Sequence, residues 1–139
     1  PDNVSTRKSI TINNNLLYSN YDGSDVISLI AQDNINVGLI SDDSLRIDAA
    51  LVAQNGRAGR YYYSNSGSNS NSCQNYHIRN SITLYGMIAT NLRYGFAYTD
   101  GTGYQDRNIV YDSNLLYAPP PSFPLTSNQY SVISWEEVK

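Results

Sequence analysis

The chain has one cysteine, Cys73, among 139 residues. An internal disulfide is therefore excluded. There is also one histidine, His77, which rules out a histidine-based metal cluster. Charged residues make up 15% of the chain, against a typical ~25%. The nine cations are scattered, and the net charge is −3. A phosphate-matching basic surface is missing, so no nucleic-acid partner is expected. Nothing resembles a transmembrane or signal segment, and no membrane contact is expected of this stretch. No segment has a sustained helical rhythm.

What is present is amide, hydroxyl and phenol. Asn and Ser account for 35 residues and Tyr for 13. Asn and Ser bond their own backbone in turns, and Tyr packs well on pleated surfaces. By length this is a single domain spanning 1–139, large enough to bury a core of its own.

The organising feature is a repeated pattern at 81–91, seen also at 44–55 and at 9–20. Each copy has a Ser, aliphatics two apart, a polar or small break, a second apolar pair and a closing Asn. Residues 34–38 form a shortened copy. Side chains two apart share one face of a strand, so each copy predicts a strand, a bend and a second strand. The full copies begin about 35 residues apart, a spacing typical of stacked architectures. The expected fold is all-β: a right-handed parallel β-solenoid, with Ile10, Leu45 and Ile82 in one column and Ile12, Ile47 and Leu84 in another. An antiparallel β-sandwich built from the same strands is the alternative. Residues 49–53 have helix propensity, but the repeat favours a strand. The Ser/Asn/Gly-rich stretch 64–75 is expected to be a loop excursion. The Pro-rich segment 118–139 is expected to cover the end of the stack, because an open ladder recruits other chains.

Residues 25–31, 47–57, 81–86, 111–121 and 133–137 resemble the C-terminal region of bacterial cell-envelope proteins. Those proteins carry pilin-like or PilX-like hydrophobic N-termini in type IV pilus-associated contexts. The resemblance implies an extracellular or cell-surface role that is structural or pilus-associated. It brings no catalytic residues, and the hydrophobic N-terminus is missing from this sequence.

Catalysis finds little footing in these residues. Cys73 and His77 lie four apart but border the loop, where a nucleophile would be poorly held. Arg46 and Asp48 share an outward strand face, and two residues do not make the acid pair of a polysaccharide-acting enzyme. No cofactor is expected. The acidic turns at Asp22 and Asp25, at Asp42 and Asp43, and at Asp100 offer oxygen to calcium, but no full calcium-loop motif is present. The aromatics speak more strongly. Tyr61, Tyr62 and Tyr63 precede one loop, while Tyr94, Tyr98 and Tyr104 flank the Asp-Gly-Thr-Gly turn at 100–103. Flat apolar rings with polar tips suit sugars or proteins, so these six are the expected ligand-binding residues. The sequence thus predicts a non-enzymatic extracellular module, structural or adhesive. It would associate with itself or with other cell-surface proteins, for instance as a filament subunit. Glycan binding through the tyrosines is the alternative, and a polysaccharide-acting β-helix enzyme is the third reading.

Overall fold

The computed structural model describes residues 6–64, 76–121 and 123. The Ser/Asn stretch 65–75, with Cys73, and the expected closing strand at 130–135 lie outside them.

Seven strands are found among the described residues: β1 (Ile10–Ile12), β2 (Ser28–Ala31), β3 (Ile35–Val37), β4 (Ser44–Ala53), β5 (Ala58–Arg60), β6 (Ile78–Thr90) and β7 (Gly103–Tyr111). A 3-10 turn at Ser113–Leu116 follows, started by Asp112, whose carboxylate accepts from the Asn114 N–H. One sheet has the order β1-β3-β5 and the other β2-β4-β6-β7. Every ladder is parallel.

Alternation explains the core. In β4, Leu45, Ile47, Ala49, Leu51 and Ala53 share the inner face, and all five are buried. In β6, Ile82 and Leu84 sit opposite Leu45 and Ile47, as the repeat predicts. Burying each such aliphatic contributes about 1.5–3 kcal/mol. From the other sheet, Ile12, Ile35 and Val37 join the same apolar cluster.

The expected fold class is nevertheless corrected. An antiparallel sandwich is excluded by the parallel ladders. The solenoid expectation required one column through all three copies, but Ile10 and Ile12 do not lie in the layer of Leu45 and Ile47. They pair with Ile35 and Val37, in the other sheet. Among the described residues the result is two separate, open, parallel-only sheets of three and four strands with few helical residues. The physical reason lies in the Asn run of the first copy. The Asn15 side chain accepts from the Arg46 N–H at 2.7 Å, and the Asn13 carbonyl accepts from the Asp42 N–H at 3.1 Å. These bonds end the strand, leaving Leu16 one isolated bridge to Ile47. The second and third copies do not bend into two strands either. They run continuously as β4, of 10 residues, and β6, of 13.

Two close approaches fix the segment that follows β6. Gly59 in β5 bridges Gly95, and a Cβ on Gly59 would come within 2.3 Å of the Gly95 carbonyl oxygen. Gly103 has φ +86°, and a Cβ there would meet the Phe96 carbonyl oxygen at 2.5 Å. Only a residue without a side chain lets these backbones touch. Together they pin residues 93–99 between β5 and the start of β7.

Candidate functional site: an arginine and tyrosine cavity

Residues 93–99 form one wall of a solvent-open cavity of about 720 Å³. Arg93, Tyr94 and Tyr98 come from this wall, Arg57 from the turn before β5, and Arg107 from β7. Backbone-rich Gly95, Ala97 and Thr99 complete the lining, which includes no carboxylate. Three of the chain's nine cations therefore converge on one cavity of a net-negative protein.

Two of the three guanidiniums are held by neutral groups. Arg57 donates to the Arg60 carbonyl at 3.3 Å and to the Tyr98 hydroxyl at 3.4 Å. Arg107 donates to the Tyr104 carbonyl at 3.2 Å. Arg93 is exposed and has no recorded partner among the described residues. The ion pairs recorded among those residues are elsewhere, at Arg46–Asp48 and Arg79–Asp43. Charge in the cavity is thus available to an incoming anion.

Two of the six expected tyrosines line the cavity, and three more stand beside Tyr98, Arg57 or Arg60. Tyr94 and Tyr98 line the cavity itself. Tyr98 donates its hydroxyl to the Arg60 carbonyl at 2.7 Å, which fixes its ring. Tyr62 packs edge-on against Tyr98, ring centroids 5.1 Å apart, and donates to Asp100 at 2.8 Å. That bond raises the Tyr62 pKa. The Asp100 carboxyl is held below its ordinary range, first by the Thr102 backbone N–H and then by the Thr102 and Tyr62 hydroxyls. Arg57 lies 5.9 Å from the Tyr61 ring, and Arg60 lies 4.9 Å from that of Tyr63. Tyr104 is different. It is fully buried, donates to the Asp42 carbonyl at 2.7 Å and bonds the Ser41 hydroxyl at 2.8 Å. Burial raises its pKa. Its place is in the core, opposite Arg79 in the β6–β7 ladder.

The cavity arginines were not singled out from sequence, where they fall in three separate stretches. One signal was there. Arg57 and Arg93 each stand two residues after the Asn that closes a copy, Asn55 and Asn91. The ladder continues past β4 and β6, with the Leu92 N–H donating to the Gly56 carbonyl at 3.0 Å. Equivalent positions in adjacent copies thereby become neighbours.

A second cluster covers the outer face of β4 and β6. Asp48 is completely buried. It accepts from Arg46 Nε at 2.8 Å, from the Tyr18 N–H at 3.2 Å and from the Tyr21 hydroxyl at 2.5 Å. Tyr18, Tyr21 and Tyr85 pack with ring centroids 5.7–6.1 Å apart. Tyr85 donates to the buried Asp112 at 3.3 Å. Burial raises the pKa values of Tyr18 and Tyr85, and the bond to Asp48 raises that of Tyr21. This brings two acids and a base together, as the enzyme reading required. Yet Asp48 has no solvent exposure, and the donors around it come from the protein itself. The arrangement clamps the segment after β1 onto the sheet.

The acidic turns are likewise engaged. Asp25 accepts from the N–H groups of Ser19 and Asn20 at 2.7 Å each, and Asp22 from both the N–H and the hydroxyl of Ser24. Among the described residues no group of three or more His, Cys, Asp or Glu is placed to hold a metal ion. Nor is any described helix long and apolar enough to cross a membrane. The Cys73–His77 pair cannot be placed, since Cys73 lies outside the described residues.

Comparison with known protein families, curated proteins and solved structures gives no match for this chain.

Proposed function

We propose that this chain is a non-enzymatic binding module for an acidic saccharide, carboxylated or sulfated, acting at a cell surface. The observation that carries this reading is the convergence of Arg57, Arg93 and Arg107 on one open cavity without a carboxylate among its lining residues. Guanidinium forks match carboxylate and sulfate oxygens in pairs, which gives orientation as well as affinity. The rings of Tyr94 and Tyr98 offer flat apolar area to a sugar face beside those charges. A volume of about 720 Å³ falls within the usual ~300–1,000 Å³ range of ligand pockets.

The test is calorimetric titration with acidic oligosaccharides and their uncharged counterparts. The acidic series binds and weakens as salt rises, because exposed ion pairs are screened. Equal binding of neutral oligosaccharides, or binding of single-stranded nucleic acid in preference to either, overturns the reading.

Self-association remains a second reading, favoured by β7. Among the described residues it is the edge strand of its sheet, and Ile109, Val110 and Tyr111 are exposed on it. An uncovered apolar edge is a template for strand addition. Analytical ultracentrifugation over a concentration series tests it, with an I109K variant as the control. Concentration-dependent growth abolished by I109K supports it, and a monomer at every concentration overturns it. The filament context implied by the envelope-protein resemblance belongs to this second reading.

A further inference from the structure

Arg60 and Arg79 lie outside the cavity and present a separate problem. Arg60 is fully buried and Arg79 is 8% exposed. Arg60 donates to the carbonyls of Gly38 at 3.0 Å, Leu39 at 3.1 Å and Tyr76, and to the Ser41 hydroxyl at 2.8 Å. All four acceptors are neutral. Arg79 reaches the same Leu39 carbonyl at 3.5 Å, so the two cationic heads converge. The tyrosines around them are neutral as well: Tyr104 lies 5.6 Å from Arg60, and Tyr76 lies 4.8 Å from Arg79. The one carboxylate recorded in an ion pair with either is Asp43, 3.8 Å from Arg79 Nη1 and 64% exposed. Both Nε–H donors, on Arg60 and on Arg79, are buried without a hydrogen-bond partner among the described residues.

A buried N–H left unbonded costs about 1–3 kcal/mol, and converging buried cations cost more unless compensated. A water molecule would satisfy the donors but leave the charge. We propose that Arg60 and Arg79 form a buried site for a small inorganic anion of chloride size, held by the two unpartnered Nε–H groups. The depth of both side chains excludes a larger acid, which separates this site from the open cavity. Burial pushes the Arg60 pKa down, consistent with charge not fully compensated by the protein. The anion would tie β5 and β6 to the turn at 38–41 as a structural ligand.

Thermal unfolding in sodium chloride against sodium gluconate, at constant ionic strength, tests the proposal. An anion bound by the folded state alone raises Tm by about 4 °C per tenfold excess over its dissociation constant. Arg79→Gln loses that chloride increment, whereas Arg93→Gln, in the cavity, keeps it. Equal Tm values of the wild type in chloride and gluconate overturn the proposal. So does a full increment surviving in R79Q. Should R79Q fail to fold, anomalous scattering from wild-type crystals soaked in bromide decides instead. Bromide within hydrogen-bonding reach of both Nε atoms supports the site, and its absence there overturns it.

Discussion

The clamp around Asp48 and the cavity around Arg93 use the same kinds of side chain, tyrosine and charge, to opposite ends. In the clamp, the charge is buried and answered within the protein: Arg46, Tyr21 and the Tyr18 N–H all converge on one carboxylate. In the cavity, the charge is exposed and is met only by neutral acceptors among the described residues. A satisfied buried charge fixes structure, and an unanswered exposed one is free to meet a ligand. The two regions should therefore fail differently when altered.

The largest effect is expected in the clamp. Asp48→Ala leaves the buried Tyr18 N–H and the part-buried Tyr21 hydroxyl without their acceptor, and a lost buried bond costs about 1–3 kcal/mol. The expected loss is about 2–5 kcal/mol, read as a lower urea midpoint, with saccharide affinity of the remaining folded protein unchanged. A midpoint within experimental error of wild type would dissolve the contrast.

Next comes the cavity. Arg93→Gln and Arg107→Gln each weaken acidic-saccharide binding by about tenfold or more, the worth of one charge-assisted contact. Their unfolding free energies, read from urea midpoints, change by no more than about 0.5 kcal/mol, as for ordinary surface changes. The double variant should also flatten the dependence of affinity on salt. Loss of stability in parallel with loss of affinity would place these arginines in the fold and not in a site.

Alkaline pH should weaken the clamp, and Tyr62 and the buried Tyr104, whose pKa values are also raised, add to the fall. Tyr18, Tyr21 and Tyr85 have pKa values raised above the ordinary 10.0. The folded state holds these protons more tightly than the unfolded chain. Their contribution is complete below pH 10 and is lost as pH climbs from there through the raised values. Denaturation midpoints measured from pH 8 to 11 should fall in wild type, and fall less in a Tyr21→Phe variant.

The smallest effect belongs to the bond between Tyr62 and Asp100. The Asp100 carboxyl sits below its ordinary value of 3.8, so its turn is intact above that pH and loosens as pH drops through the lowered value. Tyr62 then loses its acceptor, and binding of a sulfated saccharide, followed downward from pH 4 through the lowered value, should drop modestly in wild type and not in Tyr62→Phe.

Parts of this arrangement were legible in the sequence. Leu45, Ile47, Ile82 and Leu84 were placed correctly because a period of two reports a strand face directly. The layer of Ile10 and Ile12 was not. Its spacing matched the other copies, but the Asn15 side chain takes the Arg46 N–H and the Asn13 carbonyl takes the Asp42 N–H, and the strand before them pairs in the other sheet. Asp48 was read as outward, which it is; that outward means buried depended on the segment carrying Tyr18 and Tyr21 folding over that face. Tyr104 was grouped with the loop tyrosines by proximity in sequence, although its ladder position facing Arg79 takes it into the core. The cavity arginines come from stretches 14 and 36 residues apart (57, 93 and 107), and the ladder alone unites them. Scattered charge in sequence is thus no guide to scattered charge on the surface.

One experiment addresses the central claim most directly: calorimetric titration of an acidic oligosaccharide and its neutral analogue into wild type and R93Q, with urea midpoints measured on the same preparations. Binding of the acidic sugar alone, a loss of about tenfold in R93Q and equal midpoints are expected. Acidic and neutral sugars binding wild type alike, or R93Q binding as wild type does, would contradict it.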